Sequence, residues 1–378
     1  MGGKIVFVNQ AAGYLTIDIV NVFALVFDKT ALIYGDLRIQ DVELDPRVIK
    51  SKIKEKTRKS NTARFFRWTI ATIQIYFLLI TKYRKYEIFY FSVPPFAYLC
   101  SLFLRRRFSI LMWDVFPDTL KIFNINETSF IYRLWAKTNK LIFKRAYRIY
   151  TIGEEQRKLL SCYAIAKEIN VINLWSGIRV SEMISKNTNQ FVLQNYLLGK
   201  FIVQYSGNIG PTYNIETLID VAYHTRDHKD IIYLIIGRGI KYFKAQKIVE
   251  KRGLNNFLFL PFQPDNILRL SLAAADVGVV LIDKKVSSAS IPSKIYNLFA
   301  VGIPILNISP PDNELSKLIT LYNTGGNFSE DEIEKIADFI IYLKDHPDKK
   351  AEYQKNSFAA SKNYTYRNAN LFLNDYFS

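Results

Sequence analysis

Short apolar runs alternate along the chain with longer segments in which apolar residues recur every three or four positions. Residues 231–236 and 277–282 are almost entirely apolar, which is typical of strands buried on both faces of a parallel sheet. Segments such as residues 129–145 instead have the spacing of amphipathic helices. This α/β alternation predicts doubly wound parallel sheets, in which helices connect successive strands.

Strands are predicted in both halves of the chain. They fall at residues 4–9, 30–34, 87–91, 109–113, 148–152, 169–173, 201–205, 231–236, 257–260 and 277–282. Residues 178–198 are polar and lack a buried pattern, which predicts a linker. We therefore predict two domains, residues 1–180 and 199–361, with a linker at residues 181–198 and an aromatic terminal helix at residues 362–378.

One strongly apolar helix is predicted at residues 65–80 of the first domain. Its uncharged part is short, running only from residue 68 to residue 81, and it includes Gln74. A helix that spans a membrane needs about 20 apolar residues, which excludes a transmembrane segment. Two interpretations remain open: a core helix under a sheet, or an interfacial helix with basic flanks. Both hold if one face of the helix is exposed.

Charge is distributed unevenly along the 378 residues. Residues 1–180 contain 29 Lys+Arg and 14 Asp+Glu, a net charge of +15, whereas the remainder contains 22 and 20, a net charge of +2. A basic first half favours an anionic partner, either a nucleic acid or an anionic membrane surface. The two cysteines lack metal-like spacing and favour a reduced, cytosolic setting.

The best candidate for an anion site follows the predicted strand at residues 277–282. Small hydroxyl residues, including Ser290, lead into Pro292, Ser293 and Lys294, and a short apolar helix begins there. The first N–H groups of a helix have no intrahelical partner and therefore bind anions. Lys294 adds a positive charge suited to phosphate.

Other strand ends also carry candidate groups. Gly207 and Gly210 permit close approach of the backbone to a phosphate. Arg238, Lys284 and Lys285 are further cations that could neutralise it. Each has the ordinary alternative of a solvated surface charge.

Two aspartates follow the predicted strand at residues 109–113. Asp114 is the candidate general base, because the predicted first domain contains no histidine. Asp118 is a second candidate, with the simpler alternative of a helix N-cap. No D-x-D sequence follows a strand, and no His, Cys or carboxylate group has metal-ligand spacing, so no metal cofactor is expected.

The sequences Ala-Ala-Asp at residues 274–276, Pro-Ser-Lys at 292–294 and Val-Gly-Ile-Pro at 301–304 carry a family resemblance. Together they resemble the donor-binding region of GT-B glycosyltransferases of family 4, in the P-S-K branch found among bacterial cell-surface polysaccharide enzymes. The resemblance implies two Rossmann-like doubly wound domains that face each other across a cleft, with the terminal helix crossing back to the first domain. It also implies a retaining transfer from a nucleotide sugar without a metal ion.

The same resemblance implies a set of donor-binding residues. They are Gly13, Gly207, Asn208, Gly210, Arg238, Ser290, Pro292, Ser293, Lys294, Asn297 and Gly325. Asp114 and Lys294 are the implied catalytic residues. The chain departs from the family in two places. Ala289 and Asn297 stand where the family usually has two glutamates eight residues apart, and Asn208 and Tyr213 stand where it often has Arg and Lys.

These observations favour a retaining glycosyltransferase of surface polysaccharide synthesis. We expect a UDP-linked donor and a lipid-linked saccharide acceptor. We also expect a cytoplasmic location, peripheral at the inner face of the plasma membrane, and no nucleic acid partner. Three alternatives stay open: a non-hydrolysing nucleotide-sugar epimerase, a non-catalytic GT-B-like subunit, and a non-catalytic protein that binds anionic membranes or nucleic acid.

Overall fold

The computed structural model describes residues 2–38, 42–56, 61–123, 125–165, 167–179, 182–210, 213–282 and 292–378. The chain forms two compact units. The first contains residues 2–177 together with Tyr366–Ser378, and the second contains most of the chain between them.

The first unit contains a sheet of seven parallel strands. They are β1 (Lys4–Ala12), β2 (Lys29–Leu37), β3 (Ile49–Lys52), β4 (Glu87–Phe91), β5 (Phe108–Met112), β6 (Ile149–Thr151) and β7 (Asn170–Val171). Their order is β3-β2-β1-β4-β5-β6-β7. The strand order therefore reverses between β1 and β4, and the carboxyl ends of strands at such a switch point are where open α/β sheets bind ligands.

Helices cover both faces of this sheet. They are α1 (Tyr14–Ala24), α2 (Asn61–Ile80), α3 (Phe130–Arg145) and α4 (Glu154–Ser161), with 3-10 helices at Ala97–Leu102 and Asp118–Phe123. The apolar segment at residues 96–104 follows two prolines and is predicted as a helix from the sequence, but it forms only a shorter 3-10 helix. The apolar composition of this segment predicts its burial correctly, but composition does not distinguish a 3-10 helix from an α-helix over so few residues.

The second unit contains six parallel strands. They are β8 (Phe201–Asn208), β9 (Ile231–Arg238), β10 (Phe257–Pro261), β11 (Val277–Leu281), β12 (Ile305–Ile308) and β13 (Gly325–Phe328). Their order is β10-β9-β8-β11-β12-β13, with the switch point between β8 and β11. The prediction of two parallel-sheet α/β units is confirmed.

The helices of the second unit follow the same alternation. They are α5 (Gln190–Gln194), α6 (Ile215–His224), α7 (Tyr242–Lys251), α8 (Asp265–Leu272), α9 (Lys294–Ala300), α10 (Glu314–Tyr322), α11 (Ile333–Asp345) and α12 (Pro347–Ser361), with a 3-10 helix at Lys186–Thr188.

Residues 181–198 are predicted as a linker, but the second half of this segment packs in the second unit. Phe191, Val192 and Leu197 are buried and pack with β8 and β9 in the core of the second unit. The same segment also carries exposed apolar residues, Leu193, Tyr196 and Leu198, so no periodic pattern reveals which of its apolar residues are buried.

The terminal helix α13 (Ala369–Phe377) packs on the first unit. The buried ring of Tyr376 lies 5.3 Å from the ring centroids of both Phe23 and Tyr147 and 6.0 Å from that of Phe27. Asp375 accepts two hydrogen bonds from the Asn170 side chain, at 3.0 and 2.9 Å. The aromatic residues of the predicted terminal helix are therefore partly a packing surface for the first unit.

We expect Tyr376→Ala to destabilise the first unit by about 3–5 kcal/mol, because it removes a fully buried ring from an aromatic cluster. The melting temperature measured by calorimetry should fall by about 6 °C or more. Leu371→Ala, which truncates a half-exposed side chain of the same helix, is the matched control and should change it little. Equal effects of the two variants would contradict the packing role of Tyr376.

Candidate active site

The ends of β8 and β9 lie in close contact at the carboxyl edge of the second sheet. Gly207 pairs with Gly237, and Asn208 pairs with Arg238. A Cβ atom on Gly237 would lie 2.0 Å from the carbonyl oxygen of Gly207, and Gly207 itself has a φ of +142°. Only glycine fits both conditions, so these residues keep a backbone surface without side chains at the switch point.

Helix α9 reaches the same edge because it packs closely on β11. A Cβ atom on Gly278 would lie 2.6 Å from the Leu298 side chain, so glycine makes room for the helix. The helix begins at Lys294, as predicted, and Ser293 is its N-cap residue without a side-chain cap hydrogen bond. This packing brings Lys294 to Gly207, where an added Cβ would lie 3.5 Å from Lys294 Nζ.

The ammonium group of Lys294 lies in an aromatic cage. Its Nζ is 3.9 Å from the ring centroid of Tyr205 and 5.0 Å from that of Tyr213, so cation–π attraction holds it there. Within the described part of the chain, this buried Nζ has no hydrogen-bond partner. Burial lowers the pKa of Lys294 from 10.5 to about 7, because the charged form loses its hydration. An anion at this position would restore the charge.

Lys241 lies in the same region but differs from Lys294, because its ammonium group has a carboxylate partner. Its Nζ donates to a carboxylate oxygen of Glu216 and to the carbonyl oxygen of Tyr213, both at 3.2 Å. Lys241 therefore anchors the backbone that carries one wall of the cage. Lys294 has no such carboxylate among the interactions of the described residues.

Several predicted donor residues surround this cage. The hydroxyl of Tyr205 donates to the carbonyl oxygen of Asn208 at 2.7 Å, and the Asn208 amide packs against Gly210. Arg238 is exposed at the end of β9, with its guanidinium 4.7 Å from the ring centroid of Phe262. The structure thus groups the predicted residues of strands β8 and β9 at one edge of the sheet.

The remaining predicted residues of this region follow β11. Pro292 and Ser293 are half-buried at the start of α9, and Asn297 is half-buried one turn further. Ser290, Ala289, Lys284 and Lys285 lie outside the described residues, so their roles stay predictions.

In the first unit, Asp114 follows β5 at the carboxyl edge of the sheet. Its N–H and that of Trp113 donate to the Ser92 hydroxyl, at 3.2 and 3.1 Å, which fixes the backbone there. Burial raises the pKa of the Asp114 carboxyl, and the positive charge of Lys56 opposes this rise. A raised pKa makes the carboxyl group easier to protonate, so Asp114 stays a candidate for proton transfer.

Asp118 has a structural role rather than the predicted N-cap or general-base role. The buried carboxylate accepts hydrogen bonds from the hydroxyls of Tyr132 and Tyr163, at 2.7 and 2.5 Å. Lys121 Nζ forms an ion pair with it at 3.1 Å. The tyrosines lie 14 and 45 residues away in the chain, so a local capping argument could not identify them.

Gly13 precedes α1, and no atom lies within 4 Å of a Cβ added to it, so open space remains beside this loop. The first two turns of α1 hold the segment that ends the first unit. Tyr14 donates to the carbonyl oxygen of Trp175 at 3.1 Å, and the Trp175 indole donates to Asp18 at 2.9 Å. Tyr14 and Asp18 are four residues apart on one helix face, and this spacing is a signal in the sequence that could identify the pair.

Comparison with protein families decides the nature of the second unit. Residues 187–359 match the family "Glycosyl transferases group 1". This unit is a glycosyl transferases group 1 domain. The prediction of a glycosyltransferase is confirmed, whereas membership of family 4 and the P-S-K branch stay predictions.

Two curated relatives resemble parts of the chain. The first is the "Putative colanic acid biosynthesis glycosyl transferase WcaI" of Escherichia coli (strain K12), 36% identical over 103 residues, which are 27% of this chain and 25% of that protein. The second is the "Probable glycosyltransferase WbjE" of Pseudomonas aeruginosa, 24% identical over 286 residues, which are 72% of this chain and 70% of that protein.

Solved structures share the whole fold. The Anabaena protein Alr3699/HepE, solved in complex with UDP-glucose, has a TM-score of 0.73 and 14% identity, and the match covers 99% of each chain. The predicted GT-B fold is confirmed.

Gly325 occupies a different place in the glycosyltransferase domain from the one predicted. The family resemblance places it in a late loop that faces the ribose and diphosphate, but it is the first residue of β13 and pairs with Ile305 at the start of β12. Because the strands are parallel, this is the amino edge of the sheet, opposite Gly207. A Cβ on Gly325 would lie 1.8 Å from the Ile305 carbonyl oxygen, so close strand packing explains the glycine.

The described residues contain no group of three or more His, Cys, Asp or Glu side chains that could hold a metal ion.

We expect Lys294→Met to stabilise the glycosyltransferase domain at low pH. The folded pKa of Lys294 is about 7 and the unfolded value is 10.5, so the unfolded chain binds more protons between these values. The wild-type free energy of unfolding therefore rises with pH across this window. The variant should melt about 2 °C or more above the wild type at pH 6.5, and this difference should shrink by pH 9.5.

The control for this titration is Lys355→Met, which removes an exposed lysine from the same domain. It should produce little change at either pH. A difference between Lys294→Met and the wild type that is independent of pH would contradict a Lys294 whose pKa is lowered by burial.

We expect Gly325→Ala to destabilise the glycosyltransferase domain by about 2–4 kcal/mol without weakening the binding of a nucleotide sugar by the folded fraction. The steric clash with Ile305 is the physical reason. Thermal unfolding and calorimetric titration at low temperature measure the two effects. Gly13→Ala, at a position with open space, is the stability control. A selective loss of affinity in Gly325→Ala would restore its predicted binding role.

Proposed function

We propose that the protein is a retaining glycosyltransferase that moves a sugar from a nucleoside diphosphate donor to a saccharide acceptor. The observation that carries the proposal is the buried Lys294 ammonium, which lies beside Gly207 in a glycosyltransferase domain. A diphosphate would supply the negative charge that this ammonium lacks among the described residues. The UDP-glucose bound to the structurally similar Anabaena protein supports a UDP-linked donor.

Lys294 would act on the leaving group. As the bond between the sugar C1 and the phosphate oxygen breaks, negative charge develops on the diphosphate, and a fixed ammonium in a dry site stabilises it. Gly207 allows the backbone to approach the phosphates without a side chain in between. Asn297 would hydrogen-bond a ribose hydroxyl. Lys294 supplies positive charge of the kind that a metal ion provides in other enzymes, so the proposal requires no metal cofactor.

The retaining course requires that the new bond forms on the same face of the sugar as the broken one. The acceptor oxygen bonds to C1, the phosphate oxygen leaves with the electron pair, and the acceptor proton passes to that phosphate oxygen. The protein then mainly positions the reactants and stabilises charge. Asp114, whose pKa burial raises, would be a contact of the acceptor on the first unit.

We further propose a lipid-linked saccharide acceptor at the inner face of the plasma membrane. The net charge of +15 on residues 1–180 supports an anionic surface as the place of reaction. The similarity to a putative colanic acid biosynthesis enzyme supports a role in surface polysaccharide synthesis. None of the described helices is both long and apolar enough to cross a membrane.

A non-catalytic donor-binding subunit is the second candidate. Ala289 and Asn297 stand where the resembling family has glutamates, and neither side chain carries a charge. Such a subunit would bind nucleotide sugars without transferring them.

The test incubates the purified protein with radiolabelled UDP-glucose, UDP-galactose, UDP-N-acetylglucosamine or GDP-mannose and a lipid-linked saccharide extract. We expect transfer from one donor, with retained anomeric configuration by NMR. Lys294→Ala should lower kcat/KM about 100-fold or more, because a charge that stabilises the leaving group is lost. Lys355→Ala, at an exposed site, should leave it unchanged.

Two results would change the assignment. Saturable donor binding with neither transfer nor donor hydrolysis would favour the non-catalytic subunit. Full activity in Lys294→Ala would remove the proposed role of this residue.

A further inference from the structure

Helix α2 has apolar residues on two faces, and only one face is covered. Ala71, Ile75 and Leu79 are buried in the core of the first unit. On the other side, Phe66, Ile73 and Phe77 are 66%, 64% and 62% exposed, and Ile80 and Phe65 are also exposed. An exposed helix face is normally polar, so this face is unusual for a helix that only packs on a sheet.

The exposed side chains form one continuous stripe. Residues 66, 73, 77 and 80 are seven, four and three positions apart, which places them on one side of a helix. No charged residue occurs between Trp68 and Ile80. Phe103, 74% exposed, extends the stripe, because the ring of Tyr76 on α2 contacts it edge-on at 6.4 Å. We call Phe66, Ile73, Phe77, Ile80 and Phe103 the outer apolar surface.

Basic residues border the outer apolar surface. Residues 61–107 contain 8 Lys+Arg and 1 Asp+Glu. Lys82, Arg84 and Lys85 are exposed just after the last turn of α2, and Arg105 is exposed two residues after Phe103. Arg106 is instead occupied, because its guanidinium donates to carbonyl oxygens at the end of α2. Apolar side chains with cations at their edge match a membrane surface with anionic headgroups.

Helix α3 continues this character. It contains no acidic residue and exposes Phe130, Leu134 and Leu141 beside its lysines. The ring of Phe96 contacts Trp68 of α2 at 6.1 Å and Trp135 of α3 at 5.1 Å, so the two helices flank the same aromatic cluster.

We propose that the outer apolar surface inserts into the headgroup region of an anionic lipid bilayer, with Lys82, Arg84 and Lys85 contacting lipid phosphates. The inference rests on the proposed function in one respect only, which is the purpose of the membrane binding. That purpose is to bring the first unit to a membrane-bound acceptor. The binding itself can be measured without any transfer reaction.

Two other occupants fit the surface less well. A second copy of the chain, docked through the same surface, would bring two sets of exposed cations together, and like charges repel. A nucleic acid requires cations along the contact face, whereas the stripe has none. A bilayer accepts both the uncharged stripe and its basic border.

The experiment measures co-sedimentation of the full-length protein with vesicles in which phosphatidylglycerol makes up roughly a third of the lipid and phosphatidylcholine the rest. Pure phosphatidylcholine vesicles should bind at least tenfold less protein. The triple variant Phe66→Ser, Ile73→Ser, Phe77→Ser and the triple variant Lys82→Gln, Arg84→Gln, Lys85→Gln should each weaken binding about 100-fold. The matched control Ile240→Ser, Phe243→Ser, Leu321→Ser removes exposed apolar side chains from the second unit and should bind normally.

A fluorescent label reports insertion directly. Phe77→Cys in a Cys162→Ser background can be labelled with an environment-sensitive dye, because the other cysteine, Cys100, is buried. Anionic vesicles should shift its emission to shorter wavelength, and a label at Ile240→Cys should not respond. An unresponsive label at residue 77, or equal loss of binding in the control variant, would overturn the proposal.

Two further measurements separate this inference from the proposed function. Gel filtration that shows a dimer, dissociated by the Phe66, Ile73 and Phe77 substitutions, would overturn the bilayer in favour of a second copy. Thermal-shift titration with UDP-glucose should give the same affinity for the wild type and both surface variants. Loss of vesicle binding with an unchanged affinity for UDP-glucose would therefore be an effect on the membrane-binding surface alone. Vesicle binding without any sugar transfer would contradict only the proposed function.

Discussion

The proposed donor site in the second unit depends on a single desolvated charge. The ammonium of Lys294 is held between the rings of Tyr205 and Tyr213 and makes no hydrogen bond within the described residues. Such a group is costly to bury, and its pKa falls to about 7 as a consequence. A protein that only needed stability would gain from an apolar residue at this position. The free-energy cost of burying this charge is understandable if an anionic substrate completes the site. The charge is then already in position for the substrate, and no rearrangement is needed.

The fold supports this arrangement through close backbone contacts rather than through further charges. Gly207 and Gly237 allow β8 and β9 to end side by side, and Gly278 allows α9 to pack onto β11. Strand β8, which ends at Gly207 and Asn208, borders the β8–β11 switch point, where a parallel sheet leaves its carboxyl ends open to ligands. Lys294 therefore reaches its position because of the sheet order, and the tyrosines that surround it belong to the strand and loop next to it.

Hydrophobic patterning identified both parallel sheets and most strands, because buried parallel strands consist of short apolar runs. The position of Lys294 at the start of a helix was also predictable, since Pro292 and the apolar spacing after it are local signals. The cage was not, because Tyr205 and Tyr213 approach Lys294 only through the fold. Distance in the chain also explains the errors. Asp118 bonds to tyrosines far along the sequence, and Gly325 is a glycine because of the Ile305 backbone on a neighbouring strand.

Helix α2 shows a different limit of pattern analysis. Its apolar residues fit both a core helix and an interfacial helix, and in the structure Ala71 and Ile75 serve the first role while Phe66, Ile73 and Phe77 have the exposure of the second. The two halves of the chain thus use positive charge in opposite ways. In residues 1–180 many exposed cations create a field that salt screens and that acts on any anionic surface. In the nearly neutral remainder, one buried lysine acts at short range, where water does not weaken it and geometry selects the ligand.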